Sequence, residues 1–455
     1  MNLTVIVLAA GEGTRMKSDL PKVLHSLAGR PMVRYVVDVA RSLEPACLVT
    51  VVGYGADLVR QVLGDEVVYA VQAEQLGTGH AVQQAKAAAA GRASTVLVLY
   101  GDTPLIRFES LRQAVAHHEA RGAVATILTF RPDDPAGYGR ILRKAGTDEV
   151  LAIVEEKEAT PEQRRIDEAS CGIFCFRDEW LWPNLERLER RPTGEFYLTD
   201  LVAVAREQGE SVTALCVADA LEVMGLDHRL KLAQAEAEMR RRINERWMLA
   251  GVTLIHPETT YIEAGVEIAA DTVIWPNSLL QGQTRIGGGC TIGPGAVIRD
   301  STVGNGCRVE LSVIEQAVMD EGSSIGPFGH LRKGAHLGVG ARMGNFGEMK
   351  NAYLGPGAKM GHVSYLGDAT VGAGANIGAG TITCNYDGKR KYRTVIGAGA
   401  FIGSDTMLVA PVEIGDGAET GAGSVVTHDV PPGRIAYGVP ARVKPISAEE
   451  EPEGK

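Results

Sequence analysis

The stretch Ile396-Gly-Ala-Gly-Ala-Phe-Ile402-Gly-Ser-Asp-Thr-Met-Leu408-Val-Ala-Pro-Val-Glu-Ile414-Gly-Asp-Gly-Ala-Glu-Thr420-Gly-Ala-Gly-Ser-Val-Val426 decides how the second half of this chain folds. A bulky residue stands at 396, 402, 408, 414 and 426, and Thr420 takes the remaining slot. A period of six fits neither a helix, at 3.6, nor the simple alternation of a strand. It is the signature of a hexapeptide β-helix, in which one residue per hexad points inward and stacked coils bury a continuous ladder. The same spacing links Ile286, Ile292 and Ile298, and again Leu354, Met360 and Leu366. Gly follows the inward residue at 286, 292, 354, 360, 366, 396, 402, 414 and 420, which the corner turn explains because a Cβ would hinder it. The pattern is legible from about residue 262. It breaks between Ile382 and Val395, where a polar, basic segment reads as a loop of the kind that carries binding.

Glycine follows this division. Of 55 glycines in 455 residues, 18 lie in 1–250 and 37 in 251–455. Their interleaving with Val, Ile and Leu excludes a disordered Gly-rich tail, and the lack of a one-in-three period excludes collagen. The length predicts two or three domains. The net charge of −10 argues against a nucleic-acid binder, so an anionic ligand must be held by local cations. No apolar run approaches 18 residues, so no membrane span is expected. The N-terminus reads directly as a strand and not as a signal peptide. Seven scattered cysteines without CxxC spacing suit reduced thiols in the cytoplasm, with neither a disulfide frame nor a zinc cluster.

The first half alternates β-rich runs with helical patterns. Leu3–Ala10, Leu48–Val52, Val67–Gln72, Thr95–Tyr100 and Ala123–Phe130 read as strands, and Met32–Leu43 and Gly79–Ala90 as helices. This alternation predicts a doubly wound, Rossmann-like α/β domain with a mainly parallel sheet, whose ligands bind beyond the strands' carboxyl ends. Leu226, Leu230, Ala233, Ala237 and Trp247 recur at helical spacing and predict a connecting helix ended by Gly251. The expected segments are 1–225, a connecting helix at 226–250, a β-helix at 251–446 and a disordered, acidic tail at 447–455.

The first strand runs into Gly11-Glu12-Gly13-Thr14-Arg15-Met16, with Lys22 after Pro21. Small residues there let backbone N–H groups approach a phosphate chain. The segment is neither GxGxxG nor a Walker loop, which disfavours a plain dinucleotide site. Arg15 and Lys22 suit a polyphosphate leaving group; a tight turn with two surface cations fits the same spacing. Asp102, after Thr95–Tyr100, suits a Mg²⁺ ligand beside phosphates or, equally, the cap of the next helix. In the second half His362 misses the inward slot by two positions, and Arg332, Lys350, Tyr365 and Asn376 could place a sugar phosphate beside its imidazole.

Leu8-Ala-Ala-Gly-Glu-Gly-Thr-Arg-Met16, Pro21-Lys-Val23, Gln72-Ala-Glu-Gln-Leu-Gly-Thr-Gly-His-Ala81 and Tyr100-Gly-Asp102 resemble the sugar-1-phosphate nucleotidyltransferases. With the hexads added, the chain to about residue 445 is similar to the bacterial bifunctional N-acetylglucosamine-1-phosphate uridylyltransferases/glucosamine-1-phosphate acetyltransferases. The resemblance implies a left-handed parallel β-helix and cytoplasmic homotrimers with acetyl sites between chains. It also implies a nucleotide-sugar product that feeds peptidoglycan and lipopolysaccharide precursors. Leu8, Ala9, Ala10, Gly11, Gln72, Gly77 and Thr78 would hold the uridine nucleotide of UTP. Arg15 and Lys22 would stabilise the triphosphate, and Asp102 and Asp227 would bind Mg²⁺. Tyr100, Gly101, Gly137, Glu155 and Ser170 would line the nucleotide-sugar site.

In the second half the resemblance implies that His362 is the general base toward acetyl-CoA. Arg332, Lys350, Tyr365, Asn376, Asn385 and Tyr386 would hold the sugar phosphate, and Ala379, Ser404 and Ala422 the acetyl-CoA groove. The chain departs from the pattern at three places. Ser170-Cys171-Gly172 stands where Asn-Thr-Gly is usual, Asp227 where the second metal ligand is usually Asn, and Gly438 where a basic residue is expected, for which Arg434 or Arg442 would substitute. A second reading keeps one activity, nucleotidyl transfer, and gives the β-helix only a structural, oligomerising role. The intact His362 and the Asn385-Tyr386 loop argue against it.

Overall fold

The computed structural model describes residues 2–439, in two compact units that divide between Met239 and Arg240. In the first unit, β1 (Leu3–Ala9), β2 (Cys47–Val52), β3 (Val68–Val71), β4 (Thr95–Tyr100), β5 (Ala125–Phe130), β6 (Arg140–Arg143), β7 (Val150–Val154), β8 (Ala169–Arg177) and β9 (Val212–Cys216) form one sheet. Its order is β9-β5-β8-β4-β1-β2-β3. β8 runs antiparallel between β4 and β5, and the β6–β7 hairpin hangs from it. Every residue of β1 is buried because helices cover both faces. Ile6 and Leu8 pack with Val49, Val51, Val96 and Val98 on one side, and Leu3, Val5 and Val7 with Val33, Val36, Leu97 and Leu99 on the other. Each such side chain stabilises the fold by roughly 1.5–3 kcal/mol relative to exposure.

Two sequence expectations change here. The helix read over Gly79–Ala90 is two pieces, Thr78–Gln84 and Lys86–Ala89, broken at Ala85. The helix Arg229–Leu249 begins after Leu226, and its buried face is Ala235, Met239 and Ile243 rather than Leu230, Ala233 and Ala237. Leu230 is 76% exposed. The apolar spacing had the right period and the wrong phase.

The second unit is a parallel β-helix with three faces of 11, 10 and 9 strands. Its inward residues stack in register: Leu254, Ile274, Ile292, Val309, Ile325, Met343, Met360, Ile377, Ile402, Thr420 and Ala436 form one column. The coils begin at Thr253–Leu254, ahead of the legible repeat, because the first step to Ile262 carries the extra turn Pro257–Thr259. Several buried polar groups before the strands are satisfied by backbone. Thr272 Oγ1 donates to the Gly287 carbonyl at 2.8 Å, and the Cys290 and Cys307 thiols donate to the Gly304 and Asp320 carbonyls at 3.0 and 3.1 Å. At several of the glycines that follow an inward residue, a Cβ would collide with the backbone of the next coil. Gly403 has no positive φ; a Cβ there would lie 2.5 Å from the Thr420 carbonyl oxygen of the next coil. Positive φ falls on another glycine of the turn at Gly399, 64°, but on the glycine after the inward residue itself at Gly293, 93°.

Candidate active sites

β1 and β4 lie side by side with Leu8 opposite Tyr100, so the loops that follow them meet at the sheet's carboxyl edge. The Gly101 N–H donates to the Leu8 carbonyl at 2.9 Å. The loop through Ala10 and Gly11 reaches Gly13, whose φ of 73° and contact with the Lys22 stem leave no room for a side chain. Lys22 Nζ is paired with Asp102 Oδ2, and both side chains are largely buried. Asp102 is therefore not the cap of the next helix, which begins at Phe108 after Arg107. Arg15 lies on the solvent side, its Nη1 2.6 Å from Asp227 Oδ2, and Lys231 Nζ is 3.1 Å from Asp227 Oδ1. Burial alone would raise Asp227, but the Lys231 hydrogen bond and the charges of Lys231 and Arg15 hold it below the usual carboxylate range. Leu226 donates its N–H to the Asp102 carbonyl at 2.9 Å, which brings the Asp227 segment against Asp102. Two carboxylates from adjoining loops are the hard-oxygen pair that Mg²⁺ takes beside phosphates, so the residues present fit that ion.

Gln72 is buried, and Gly77 and Thr78 are half-buried. Gln72 Nε2 donates to the Gly77 carbonyl at 3.0 Å and lies 3.1 Å from His80 Nδ1. Gly77, at φ 94°, passes so close to Phe196 that a Cβ would sit 2.7 Å from its carbonyl oxygen. Thr78 Oγ1 accepts from the Leu198 N–H at 3.0 Å and hydrogen-bonds the Tyr100 phenol, which burial pushes well up. The Tyr100 ring lies against Gly172, where a Cβ would come within 2.9 Å of it. Tyr100, opposite Leu8 at the sheet edge, thus touches the Ser170–Gly172 segment; Gly137, at φ 83°, stands before β6 and Glu155 directly after β7. Burial raises the Glu155 carboxyl against an opposing hydrogen bond with Thr199. Ser170 is buried and its Oγ accepts from the Gly172 N–H at 3.3 Å, so the hydroxyl is turned into its own loop.

In the β-helix the in-register column places one set of residues at a single corner. Two positions beyond Met343, Met360, Ile377, Ile402, Thr420 and Ala436 stand Asn345, His362, Ala379, Ser404, Ala422 and Gly438. His362 is exposed, and its Nδ1 is 3.3 Å from Asn345 Oδ1. The adjoining face carries Arg332 and Lys350, each one residue past a stacked core residue. Arg332 Nη1 donates to Glu348 Oε1 at 2.8 Å, and Glu348 lies opposite Tyr365. Burial, then Glu348 and Asp368, raise the Tyr365 phenol against a hydrogen bond with Asn385. Asn385 Nδ2 in turn donates to Asp368 Oδ2 at 2.5 Å. Asn376 lies across the corner on the first face, and exposed Tyr386 on the inserted hairpin, bonded to the Gly388 carbonyl. Neither belongs to the Arg332–Tyr365–Asn385 network.

Sequence reasoning missed Glu348, Asp368 and Asn351, the acidic and amide partners of that network. It also passed over Lys391 and Arg393, which line a cavity of about 230 Å³ with Asn351, Asp368 and Tyr392. The basic run in the interrupted hexad was the available signal for the last two. Along the corner, Gly438 sits in a groove of about 340 Å³ with Arg434, His428 and Tyr437. Arg442 and the 447–455 tail lie outside the described residues. No helix among the described residues is long and apolar enough to cross a membrane.

Residues 5–171 match the MobA-like NTP transferase domain family, and residues 265–300 and 393–428 the bacterial transferase hexapeptide family. The chain is 47% identical over 449 residues to the "Bifunctional protein GlmU" of Enterococcus faecalis, covering 98% of this chain and 97% of that one. It is 48% identical over 441 residues to the protein of the same name from Pelobacter propionicus, covering 96% and 95%. For that of Shouchella clausii the identity is 46% over 427 residues, covering 94% of each chain. With an NTP-transferase sheet and a transferase hexapeptide β-helix in one polypeptide, and near full-length identity of this order, the chain belongs to the family of bifunctional GlmU proteins.

Proposed function

We propose that the chain makes UDP-N-acetylglucosamine in two steps: the β-helix acetylates glucosamine-1-phosphate from acetyl-CoA, and the α/β unit joins the product to UTP with release of pyrophosphate. The observation that carries this reading is the presence, in one chain, of two separate constellations. One is Lys22, Arg15, Asp102 and Asp227 at a sheet's carboxyl edge; the other is His362 heading a corner of small residues.

In the uridylyl step the sugar phosphate attacks the α-phosphorus in line, and catalysis is positioning and charge neutralisation. The loop from Leu8 to Gly11 offers backbone to the nucleotide, with Gln72, Gly77 and Thr78 beside it. Lys22 and Arg15 neutralise the triphosphate. Asp102 and Asp227 would hold Mg²⁺, which would supply further charge neutralisation at the phosphates. Tyr100, Gly101, Gly137 and Glu155 line the sugar, and Ser170 shapes that wall through its loop.

In the acetyl step His362 takes the proton from the amine as it attacks the thioester carbonyl. Arg332, Lys350, Tyr365, Asn376, Asn385 and Tyr386 hold the sugar phosphate, with Lys391 an added cation. The corner at Ala379, Ser404 and Ala422 is slim enough to admit a pantetheine arm, and Arg434 meets the far end of the cofactor. Asn376 and Tyr386 stand apart from the network within one chain, which supports a homotrimer whose sites are completed by a neighbouring copy. Leu311, Phe328, Phe346 and Val363 are exposed along the solenoid, and the two Phe rings stack at 5.3 Å, a surface suited to such packing. The unpaired, scattered cysteines support a cytoplasmic location.

Two assays test the division. Pyrophosphate release from UTP, N-acetylglucosamine-1-phosphate and Mg²⁺ reports the first unit, and CoA thiol release from acetyl-CoA and glucosamine-1-phosphate the second. A wild-type chain that releases pyrophosphate but no thiol contradicts the two-step reading and supports a single activity.

A further inference from the structure

We infer that Asn345 is a positioning residue for acetyl transfer: its side-chain oxygen accepts the Nδ1–H of His362 and so leaves Nε2 as the lone pair that takes the amine proton. This rests on the reading of His362 as the base. Asn345 occupies on one coil the position that His362 occupies on the next, because Met343 and Met360 pair in register and each residue lies two beyond. The two corners are in direct contact: the site of a Cβ on Gly344 is filled by the Gly361 carbonyl. The next residue on the Asn345 corner, Phe346, takes φ 56° and stacks on Phe328, which fixes the turn that carries the amide. Asn345 Oδ1 lies 3.3 Å from His362 Nδ1, and it is the one side-chain hydrogen-bond partner of His362 among the described residues.

An exposed imidazole without such a partner samples both tautomers and several ring orientations, and only one of them presents a base to the amine. A second group that fixes the tautomer is a general device of imidazole chemistry. The amide does this without adding charge. The proton balance is complete within the site. The amine nitrogen bonds to the thioester carbon and its proton passes to Nε2, while the other proton stays on Nδ1, donated to the Asn345 amide oxygen. The C–S bond then breaks, and the imidazolium returns its proton to the leaving thiolate, giving CoA thiol, the N-acetyl sugar and neutral His362.

The test uses the full chain with three substitutions. Asn345→Ala and Asn345→Leu remove the acceptor, Leu with nearly the same bulk; Asn345→Asp keeps an acceptor in place. The expected result is a fall of about 10²-fold in kcat for thiol release in the Ala and Leu variants, with KM for both substrates within about twofold. Asn345→Asp is expected within about fivefold of wild type, and pyrophosphate release unchanged in all three. A Leu or Ala variant that keeps its kcat, or an Asp variant as impaired as Leu, overturns the inference. A wild-type chain without thiol release overturns the acetyl-transfer reading itself, which separates the two failures.

Discussion

The N–H of Leu226 donates to the carbonyl oxygen of Asp102 at 2.9 Å, so two carboxylates 125 positions apart in sequence are set on adjoining loops by a single backbone bond. Each already faces a cation, Lys22 for Asp102 and Arg15 for Asp227. Replacing Asp102 by Asn keeps the shape and removes the charge. Asp102→Asn is expected to cut uridylyl transfer by about 10²-fold or more, and to leave thiol release unchanged. Chelation with EDTA is expected to stop pyrophosphate release alone. Unchanged uridylyl transfer in Asp102→Asn removes it from the metal site.

Lys22 and Asp102 form a largely buried pair, so removing one partner strands the other. Breaking such a pair costs about 3–5 kcal/mol. Lys22→Met is expected to lower the unfolding midpoint of the α/β unit and abolish uridylyl transfer. Adding Asp102→Asn to Lys22→Met should restore most of the stability and none of the activity. Calorimetry and pyrophosphate release, read on the same samples, separate the two effects.

His362 is exposed and belongs to no core, so its loss should cost little stability. His362→Ala is expected to remove thiol release while sparing pyrophosphate release and the melting temperature. Loss of both activities contradicts the division of labour between the units.

His118 is buried beneath the sheet, its Nδ1 2.9 Å from Thr126 Oγ1, and burial lowers it to about 4, with Arg177 and His117 adding to the shift. The unfolded chain binds the proton near pH 6.5 and the folded chain only near 4, so stability falls as pH drops through that window. The loss amounts to roughly 2–3 kcal/mol by pH 4. His118→Gln should flatten the fall in α/β-unit stability between pH 6.5 and 4. A denaturation series with the same slope in both proteins contradicts this account.

Two glycines of one coil separate the two uses of that residue. At Gly403 a Cβ would meet the Thr420 carbonyl oxygen at 2.5 Å, whereas at Gly399 it would meet nothing within 4 Å and only the positive φ resists substitution. Gly403→Ala is expected to cost about 1–3 kcal/mol by overpacking, and Gly399→Ala about 1 kcal/mol. Equal losses in chemical denaturation contradict the close-approach argument.

The hexad ladder was legible because each inward residue answers to one local rule repeated every six positions. Ile396, Ile402 and Ile414 are buried as that rule requires. The first coil was not legible, since the turn at Pro257–Thr259 lengthens the step from Leu254 to Ile262. The phase of the helix from Arg229 was misread because Leu230 and Ala233 share its period, and only tertiary packing selects Ala235, Met239 and Ile243 instead. In the candidate sites, residues just past strand ends could be read from their position: Asp102 and His362 are examples. Glu348, Asp368 and Asn345 could not, because each acts on a residue 16 or 17 positions away, brought near only when coils stack.

The central claim is that one chain carries both steps. The most direct measurement supplies the wild-type protein with glucosamine-1-phosphate, acetyl-CoA, UTP and Mg²⁺, and follows UDP-N-acetylglucosamine by chromatography. Nucleotide sugar is expected with one CoA thiol and one pyrophosphate per molecule formed, and none when acetyl-CoA is omitted. Product that appears only when N-acetylglucosamine-1-phosphate is added from outside contradicts the claim.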